Sequence, residues 1–328
     1  MTRNATMGNG SDAPTSLGRG MAHTQAEQAE KLRRESEELR FLGQLKAAHE
    51  RGLLAIKHAT ELHGKNSLRL VPFYLVLVEI SLQERQLKQA EEVLSLVNWL
   101  LVKDQKGPGA TVPMSVGSTQ DLGQPPRPEL PEELKNLYVV RMNKLYSTLL
   151  MEYEVYPEAL QRAAHGAYHC SLLFGPEHLY TSELYFCLGQ IFSRMQHHDN
   201  SQSNTQRNSD NALGMFDKVV DIWYRFLTNP PEETAAWMLE HQRLRIQEAT
   251  HMLRAIIQIR GKTLGEAHVA TGEAIYTQAL VLLYLGDHAP AKKLVREALD
   301  VYVANLGQEH PSTIDVKNVL QQLEEAGV

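Results

Sequence analysis

The chain has 328 residues, of which 43% are hydrophobic and 22% are charged, a composition that is ordinary for a globular protein. Its net charge of −6 provides no basic domain of the kind that binds nucleic acid, so we expect no nucleic-acid partner. No window of about 18 residues is apolar enough to cross a bilayer, so we expect no membrane partner either.

The N-terminal part of the chain changes character at residue 25. Residues 1–24 are rich in Gly, Ser, Thr and Asn, which predicts a disordered tail. Apolar residues then recur at helical spacing up to Gly64, which predicts one long helix with that glycine as its C-cap. A helix pair is predicted over 67–102, with its bend at 83–86.

Two polar stretches separate the helices farther along the chain. Residues 103–130 are rich in proline and glycine and nearly lack bulky apolar groups, which predicts a disordered loop. Residues 199–211 are predicted to be a polar insertion before a helix that begins at Ala212. No segment shows the alternation of a strand, so an all-α protein is predicted. The other predicted helices are 131–153, 156–174, 180–196, 212–227, 230–261, 271–285, 289–306 and 312–326.

One phrase near the C-terminus occurs twice. LGEAH at 264–268 returns 42 residues later as LGQEH at 306–310, and two amphipathic segments lie between the copies. This is the pattern of one helical hairpin followed by the start of the next. The period and the phrase resemble the repeats of kinesin light chains and related tetratricopeptide proteins. In this interpretation His268, His310 and Pro311 set the turn between repeats and carry no chemistry.

The same period is expected through the rest of the chain. The interval from Gly64 to Gly175 is 111 residues, and the interval from Gly175 to Gly265 is 90 residues. Each contains two periods of 42 once the proline-rich loop and the polar insertion are allowed for. We therefore predict a right-handed α–α superhelix, a tetratricopeptide solenoid of 42-residue repeats over 25–327, which ends in a capping helix.

Small residues recur where the two helices of such a hairpin approach each other. In the first turn of the second helix they are Ala90, Ala159, Ala212 and Ala291. In the middle of the first helix they are Gly189 and Ala279. Larger side chains at these positions would force the two helices apart.

Three longer segments carry a closer resemblance. They are LVPFYLVLVEISLQERQLKQAEEVLSLVNWLLVK at 70–103, YHCSLLFGPEHLYTSELYFCLGQIF at 168–192 and FDKVVDIWYRFL at 216–227. They resemble the helical body of the MYND-type zinc-finger and tetratricopeptide axonemal proteins, the vertebrate MYND-domain-containing protein twelve group. The similarity runs from about Gln44 to the C-terminus. It implies a ciliary protein associated with inner-arm dynein and with a partner tetratricopeptide protein.

The sequence departs from that family in its cysteines. A MYND finger needs closely spaced zinc-binding cysteines, and this sequence has only Cys170 and Cys187. The function of the finger is therefore not expected to carry over. Two cysteines also exclude a disulfide framework and favour a reducing compartment.

Motifs of catalysis and cofactor binding are absent from the sequence. It contains no P-loop, no dinucleotide-binding glycine motif, no nucleophile elbow and no HExxH zinc motif. We therefore predict no catalytic residue, no metal site and no cofactor, and we expect the chain not to be an enzyme. His165, His169 and Cys170 fall on one predicted helix, but zinc would need a further ligand, so ordinary helix packing is favoured.

The inner helices of a solenoid line a concave groove, which is where a peptide or helix binds. Twelve mostly polar residues are expected to face this groove, and they are the candidate protein-binding residues. They are Glu79, Gln83, Arg141, Lys144, Thr148, Glu152, Glu183, Gln190, Arg194, Glu273, Tyr276 and Tyr284. The alternative is that they only keep an unoccupied surface hydrated.

The function hypothesis combines this surface with the family resemblance. We expect a non-enzymatic scaffold in the cytoplasm and cytoskeleton, in the axoneme of a cilium or flagellum, where it serves cilium motility. Its expected partners are dynein-arm components and another tetratricopeptide protein. A kinesin-light-chain-like adaptor that binds acidic–aromatic cargo peptides in the cytoplasm is the alternative. A basic outer face that includes Arg245, Arg254 and Arg260 would instead suit tubulin tails.

Overall fold

The structure is a computed structural model that describes residues 16–105, 130–198, 201–230 and 236–327. These residues form twelve α-helices and no strand, which confirms the predicted all-α class. The helices are α1 Ser16–Phe41, α2 Leu45–His63, α3 Val71–Gln83, α4 Leu87–Gln105, α5 Glu132–Glu152, α6 Tyr156–Phe174, α7 Leu179–His198, α8 Gln202–Thr228, α9 Ala236–Thr263, α10 Val269–Tyr284, α11 His288–Leu306 and α12 Pro311–Glu325. A short 3₁₀ helix, Leu68–Leu70, precedes α3.

Four hairpins share the same turn between their two helices. In α1–α2, α3–α4, α5–α6 and α10–α11, one residue has a positive φ, and the next N–H donates to the carbonyl five residues back at 2.8–2.9 Å. This is the bonding of a Schellman helix end. The positive-φ residues are Gly43 (φ 74°), Arg85 (φ 61°), Glu154 (φ 61°) and Gly286 (φ 79°). Glycine adopts this backbone without steric cost, whereas Arg85 and Glu154 adopt it at some expense in strain.

The helices of these hairpins also meet at equivalent positions. An alanine with no accessible surface lies on the second helix, five residues after each turn residue. A fully buried residue of the first helix lies twelve positions earlier in the chain than this alanine. The pairs are Ser36 with Ala48, Val78 with Ala90, Ser147 with Ala159 and Ala279 with Ala291. Both serines donate to the carbonyl of their alanine, at 2.7 and 2.8 Å. The predicted role of Ala90, Ala159 and Ala291 as close-contact residues is confirmed.

The predicted single helix that ends at Gly64 is wrong. The structure divides this region into α1 and α2 at the turn around Gly43, and α1 already begins at Ser16. Residues 1–15 of the predicted tail lie outside the described residues, but 16–24 belong to a helix. The turn residues Gly43 and Arg85 are 42 residues apart, so the period that was read from the C-terminal phrase is also present here.

A second kind of junction links one hairpin to the next. Gly64, Gly175, Gly265 and Gly307 each have a positive φ, and three residues later a side chain caps the next helix. His178, His268 and His310 use ring Nδ1 to accept the N–H two residues ahead, at 3.1–3.2 Å. In the first copy the Ser67 hydroxyl accepts in the same way from Arg69, at 3.3 Å. The histidines therefore set this turn, as the sequence predicted for His268 and His310.

We expect the His178 cap to make stability depend on pH. Burial, followed by the charge of Arg245, lowers the pKa of His178 from 6.5 to about 4. Between these values the unfolded chain binds more protons than the folded chain. The contribution of His178 to the free energy of unfolding is therefore fully present above about pH 6.5 and is lost as the pH falls toward 4. At pH 5 the loss should be about 1 kcal/mol, a value already reduced for the partial exposure of the ring.

Urea unfolding at pH 7.5 and pH 5 measures this loss. His178→Ser is the matched control, because a serine caps the equivalent helix at Ser67 and does not titrate in this range. The variant should lose about 1 kcal/mol less than the wild type between the two pH values. Equal losses in both proteins would contradict a contribution from the His178 ring.

The interval from Gly175 to Gly265 does not hold two complete repeats. Its described residues form three helices, α7, α8 and α9, where two repeats would need four. Helix α8 begins at Gln202 instead of Ala212, so residues 202–211 of the predicted insertion are its first turns. The sequence suggested a loop because this part of α8 is polar and largely exposed, yet Asn208 is buried. The extra length of α8 and α9 accounts for the 90 residues.

Helix α7 packs on α8 at Gly189. A Cβ added to Gly189 would lie 2.5 Å from the Phe216 ring, so only glycine permits this approach. Ala212 is buried as expected, but it lies in the middle of α8 and not in its first turn. The fully buried Trp223 lies in the same core and donates from Nε1 to the Ser182 hydroxyl at 3.1 Å. Buried apolar residues of α9 and α10 complete the core.

The chain forms two compact units, Met1–Tyr138 and Val139–Val328. The first unit has its core among α1, α2 and α3, with Leu32, Leu70 and Phe73 at its centre. The second unit contains the α7–α10 core and a separate C-terminal core of α10, α11 and α12. Within the described helices, none is long and apolar enough to span a membrane.

Candidate protein-binding site

The two candidate residues of the first unit differ in exposure. Glu79 is buried on α3, and its Oε2 lies 3.3 Å from Nη2 of Arg40 on α1. Gln83 is the last residue of α3 and is exposed. That Glu79 or Gln83 binds a partner stays a prediction.

Two further candidate residues form a charged cluster with α9. Lys144 on α5 donates to Glu183 on α7 at 2.6 Å and to Glu248 on α9 at 3.1 Å. Arg245 on α9 also donates to Glu183, and its guanidinium lies 4.2 Å from the centre of the Tyr180 ring. Glu183 is only 3% exposed. The cluster therefore joins three helices inside the second unit.

Five more candidate residues lie along α5 and α7. Arg194 donates to Glu152 at 2.9 Å, and the Thr148 hydroxyl donates to the Lys144 carbonyl within its own helix at 3.0 Å. Arg141 and Gln190 are half-buried. The structure thus brings Glu152 and Arg194 together in a pair, and their role toward a partner stays a prediction.

The remaining candidate residues lie on α10, and two of them line a cavity. The cavity has a volume of about 330 Å³, at the lower end of the range of ligand pockets. Tyr284 is 52% exposed and lies outside the lining, near the Phe226 ring. We call this space the tyrosine–carboxylate cavity. Its lining residues are Asp217, Val220, Asp221, Tyr224, Arg260, Glu273, Tyr276, Thr277, Tyr302, Ser312 and Asp315.

Arg260 is the buried, positively charged residue of this cavity. Its side chain has no accessible surface, and it donates to the Ala270 carbonyl at 2.5 Å and to the Asp217 carboxylate. Burial lowers the pKa of Arg260, while Asp217 and Glu273 act in the opposite direction. Its Nε–H has no hydrogen-bond acceptor within the part of the chain that the structure describes. The Nε–H is therefore a buried donor without an acceptor among these residues.

The cavity wall combines phenols with carboxylates. The Tyr276 hydroxyl donates to Asp315 at 3.5 Å, and burial together with Asp315 raises the pKa of Tyr276. Burial, followed by Glu273, raises the pKa of Tyr302, so both phenols stay neutral at physiological pH. Partial desolvation raises the pKa of Glu273, and the positive charge of Arg260 opposes it. The lining has four carboxylates and one guanidinium, so it is negative.

The residues considered for metal binding pack as ordinary side chains. The His165 and His169 rings lie 4.3 Å apart in an edge-to-face arrangement, and the buried Cys170 thiol accepts from the Thr181 hydroxyl at 3.4 Å. Among the described residues no group of three or more His, Cys, Asp or Glu could hold a metal ion. Burial raises the pKa of Cys170 and Cys187, which keeps both thiols protonated and weakly nucleophilic.

Only two residues of the cavity, Glu273 and Tyr276, were predicted to bind a partner, and the sequence suggested an outer basic face for Arg260. Arg260 is completely buried and Arg245 nearly so, whereas Arg254 is exposed. The missed carboxylates and phenols come from α8, α11 and α12, and α8 is far from the other two helices in the sequence. The one local signal was the position of Arg260, which falls on the apolar stripe of α9 four residues after the buried Ile256.

Comparison with a family model supports the repeat assignment. The tetratricopeptide repeat model matches residues 279–312, which comprise the end of α10, all of α11 and the start of α12. Among solved structures, the chain is similar to the crystal structure of BtubC (BKLC) from P. vanneervenii, with 15% identity. That similarity covers 90% of this chain and 94% of BtubC, with a TM-score of 0.30. Tetratricopeptide repeats mediate protein–protein interactions, so the repeat match indicates an interaction scaffold.

Proposed function

We propose that this chain is a non-enzymatic scaffold of the ciliary axoneme, associated with an inner dynein arm, and that the tyrosine–carboxylate cavity belongs to its partner-binding surface. The observation that carries the binding role is a cavity of about 330 Å³ that helices α8 to α12 line with carboxylates and phenols. A concave site with a few convergent polar groups is the usual form of a binding site.

The cellular part of the proposal rests on the resemblance to the MYND-type axonemal proteins. That resemblance includes 216–227, and this segment supplies Asp217, Val220, Asp221 and Tyr224 of the cavity. The surface that we propose for binding is therefore made partly from residues that resemble the axonemal family. Its expected occupant is a segment of a dynein-arm component or of a partner tetratricopeptide protein.

A cytoplasmic cargo adaptor of the kinesin-light-chain type is the second candidate. The repeat match over 279–312 and the sequence phrase that recurs after 42 residues favour this adaptor as much as they favour the axonemal scaffold. Such an adaptor would bind acidic–aromatic peptides, and the carboxylates of the cavity would repel them. A cargo peptide would therefore need a different surface, and Lys144 is already paired with Glu183 and Glu248.

Extraction of a ciliated cell that expresses the tagged chain separates the two functions. We expect the tagged chain to stay with the axoneme after detergent and to leave it only in high salt. Crosslinking of the retained material, followed by mass spectrometry, should identify inner-arm dynein components as neighbours. A diffuse cytoplasmic signal that detergent removes completely would overturn the axonemal proposal and favour the cargo adaptor.

A further inference from the structure

We propose that the tyrosine–carboxylate cavity binds the side chain of a lysine or arginine from a partner's extended segment. This inference rests on the proposed scaffold function and names the chemistry that the cavity recognises. It is carried by the charges, the rings and the buried donor of the lining, all of which belong to the second unit.

The charges of the lining favour a cation. Asp217 is paired with Arg260, and Asp221 is paired with Arg225 at 2.9 Å. Glu273 and Asp315 have no salt bridge within the described part of the chain, although Arg260 and His268 both act electrostatically on Glu273. Two carboxylates are therefore left to attract an ammonium or guanidinium group. An acidic side chain in the same position would meet only repulsion from them.

The aromatic residues of the lining favour the same ligand. The rings of Tyr224 and Tyr276 lie 6.3 Å apart, and Tyr302 lines the cavity from α11. Tyrosine faces attract cations, and their apolar surface can cover the methylene groups of a long side chain. A volume of about 330 Å³ is enough to hold one long side chain and its neighbouring main chain.

The buried arginine supplies the complementary contact. Arg260 Nε–H lacks an acceptor within the described residues, and a buried donor without a partner is costly. Because Arg260 has no accessible surface in the unbound chain, its neighbours must move as the segment binds, and a main-chain carbonyl of that segment then provides the acceptor. The cavity would offer a donor to the partner's main chain and carboxylates to its cationic side chain, which together fit an extended basic segment.

Titration with short peptides tests the charge preference. The probes are blocked pentapeptides with lysine, arginine, norleucine or glutamate between two glycines on each side. They are added to the full chain with ¹³C-labelled tyrosine rings, whose signals are assigned with Tyr276→Phe and Tyr302→Phe. We expect the lysine and arginine peptides to shift the Tyr276 and Tyr302 signals saturably, and the other two peptides to leave them unchanged.

A matched pair of variants shows whether the cavity is the site. Asp315→Asn removes an exposed cavity carboxylate and should weaken binding of the lysine peptide by about fivefold. Glu309→Gln removes the same charge from an exposed position outside the lining and should leave that affinity unchanged. Circular dichroism and thermal unfolding verify that both variants fold.

Three outcomes would overturn the inference. They are equal binding of the lysine and norleucine peptides, stronger binding of the glutamate peptide, and unchanged affinity in Asp315→Asn. Failure of the parent proposal looks different, because a wild-type chain that is lost from the axoneme can still bind the lysine peptide. Conversely, if the lysine peptide binds the wild type and Asp315→Asn equally while the tagged wild type stays with the axoneme, the cavity inference fails and the scaffold proposal stands.

Discussion

Trp223→Ala should lower the free energy of unfolding of the second unit by about 4 kcal/mol. The Trp223 side chain has no accessible surface, and it packs in the core that α8 shares with α7, α9 and α10. Its removal leaves a large cavity and also removes the hydrogen bond from Nε1 to the Ser182 hydroxyl. Urea unfolding measures the loss, and the slope of free energy against urea should stay the same.

Two other substitutions assign this loss to its causes. Trp223→Phe keeps most of the ring volume and removes the bond to Ser182, so it should cost about 1–2 kcal/mol. Trp99→Ala is the matched surface control, because Trp99 is 47% exposed and contacts Lys103 with its ring. It should cost less than about 1 kcal/mol. Similar costs for Trp223→Ala and Trp99→Ala would contradict the buried role of Trp223.

The fold class and most helices could be predicted because their causes are local. Pro72, Pro157 and Pro311 each lie in the first turn of a helix, and helical spacing of apolar residues identifies the faces that are buried. The capping phrase could be predicted for the same reason, since the histidine at 268 or 310 bonds an N–H only two residues away. Short-range hydrogen bonds leave a pattern that a single sequence shows.

The break at Gly43 was missed although its cause is also local. Apolar residues at helical spacing on both sides of Gly43 suggested one helix, and Leu42 is one of them. In the structure Leu42 is 71% exposed, because the turn places it outside the hairpin. The apolar positions after Gly43 do not continue the helical phase of those before it, and this shift would have indicated a break between two helices. Comparison with the turn at Arg85, one period later, would have identified it.

The candidate site could be predicted only in part because its contacts are distant in sequence. Tyr276 and Asp315 are 39 residues apart, and Arg260 and Asp217 are 43 residues apart. The sequence placed Glu273 and Tyr276 on one helix face, but the partners that complete the cavity depend on how four other helices pack. The three-helix segment from α7 to α9 also departs from the repeat, so the period could not predict which residues α9 would meet.

Glu183→Gln should lower the free energy of unfolding by about 3 kcal/mol, the usual cost of leaving buried charges without their partner. The carboxylate of Glu183 is bonded by Lys144 at 2.6 Å and by Arg245, and its side chain is only 4% exposed. Glutamine keeps the size of the side chain but not its charge. Glu248, at 3.1 Å from Lys144 and 3.8 Å from Arg245, would then be left to neutralise both cations.

Glu177→Gln is the control for an exposed ion pair. Glu177 bonds Arg225 at 2.9 Å, but more than half of each side chain is exposed, so its loss should change stability by less than about 0.5 kcal/mol. Lys144→Met added to Glu183→Gln should cost less than the sum of the single changes, because it also removes an uncompensated cation. A cost for Glu183→Gln as small as that for Glu177→Gln would show that the cluster does not stabilise the second unit.

The same variant decides between two roles for the predicted groove residues. If Lys144 and Glu183 serve mainly to join α5, α7 and α9, then Glu183→Gln lowers stability while the folded protein keeps its partner. Binding measured well below the unfolding temperature would then equal that of the wild type. If Glu183 instead contacts the partner, affinity falls at temperatures where the variant is fully folded. The burial of Glu183 and its two cationic partners favour the first result, so binding is expected to depend on Asp315 and the tyrosine–carboxylate cavity.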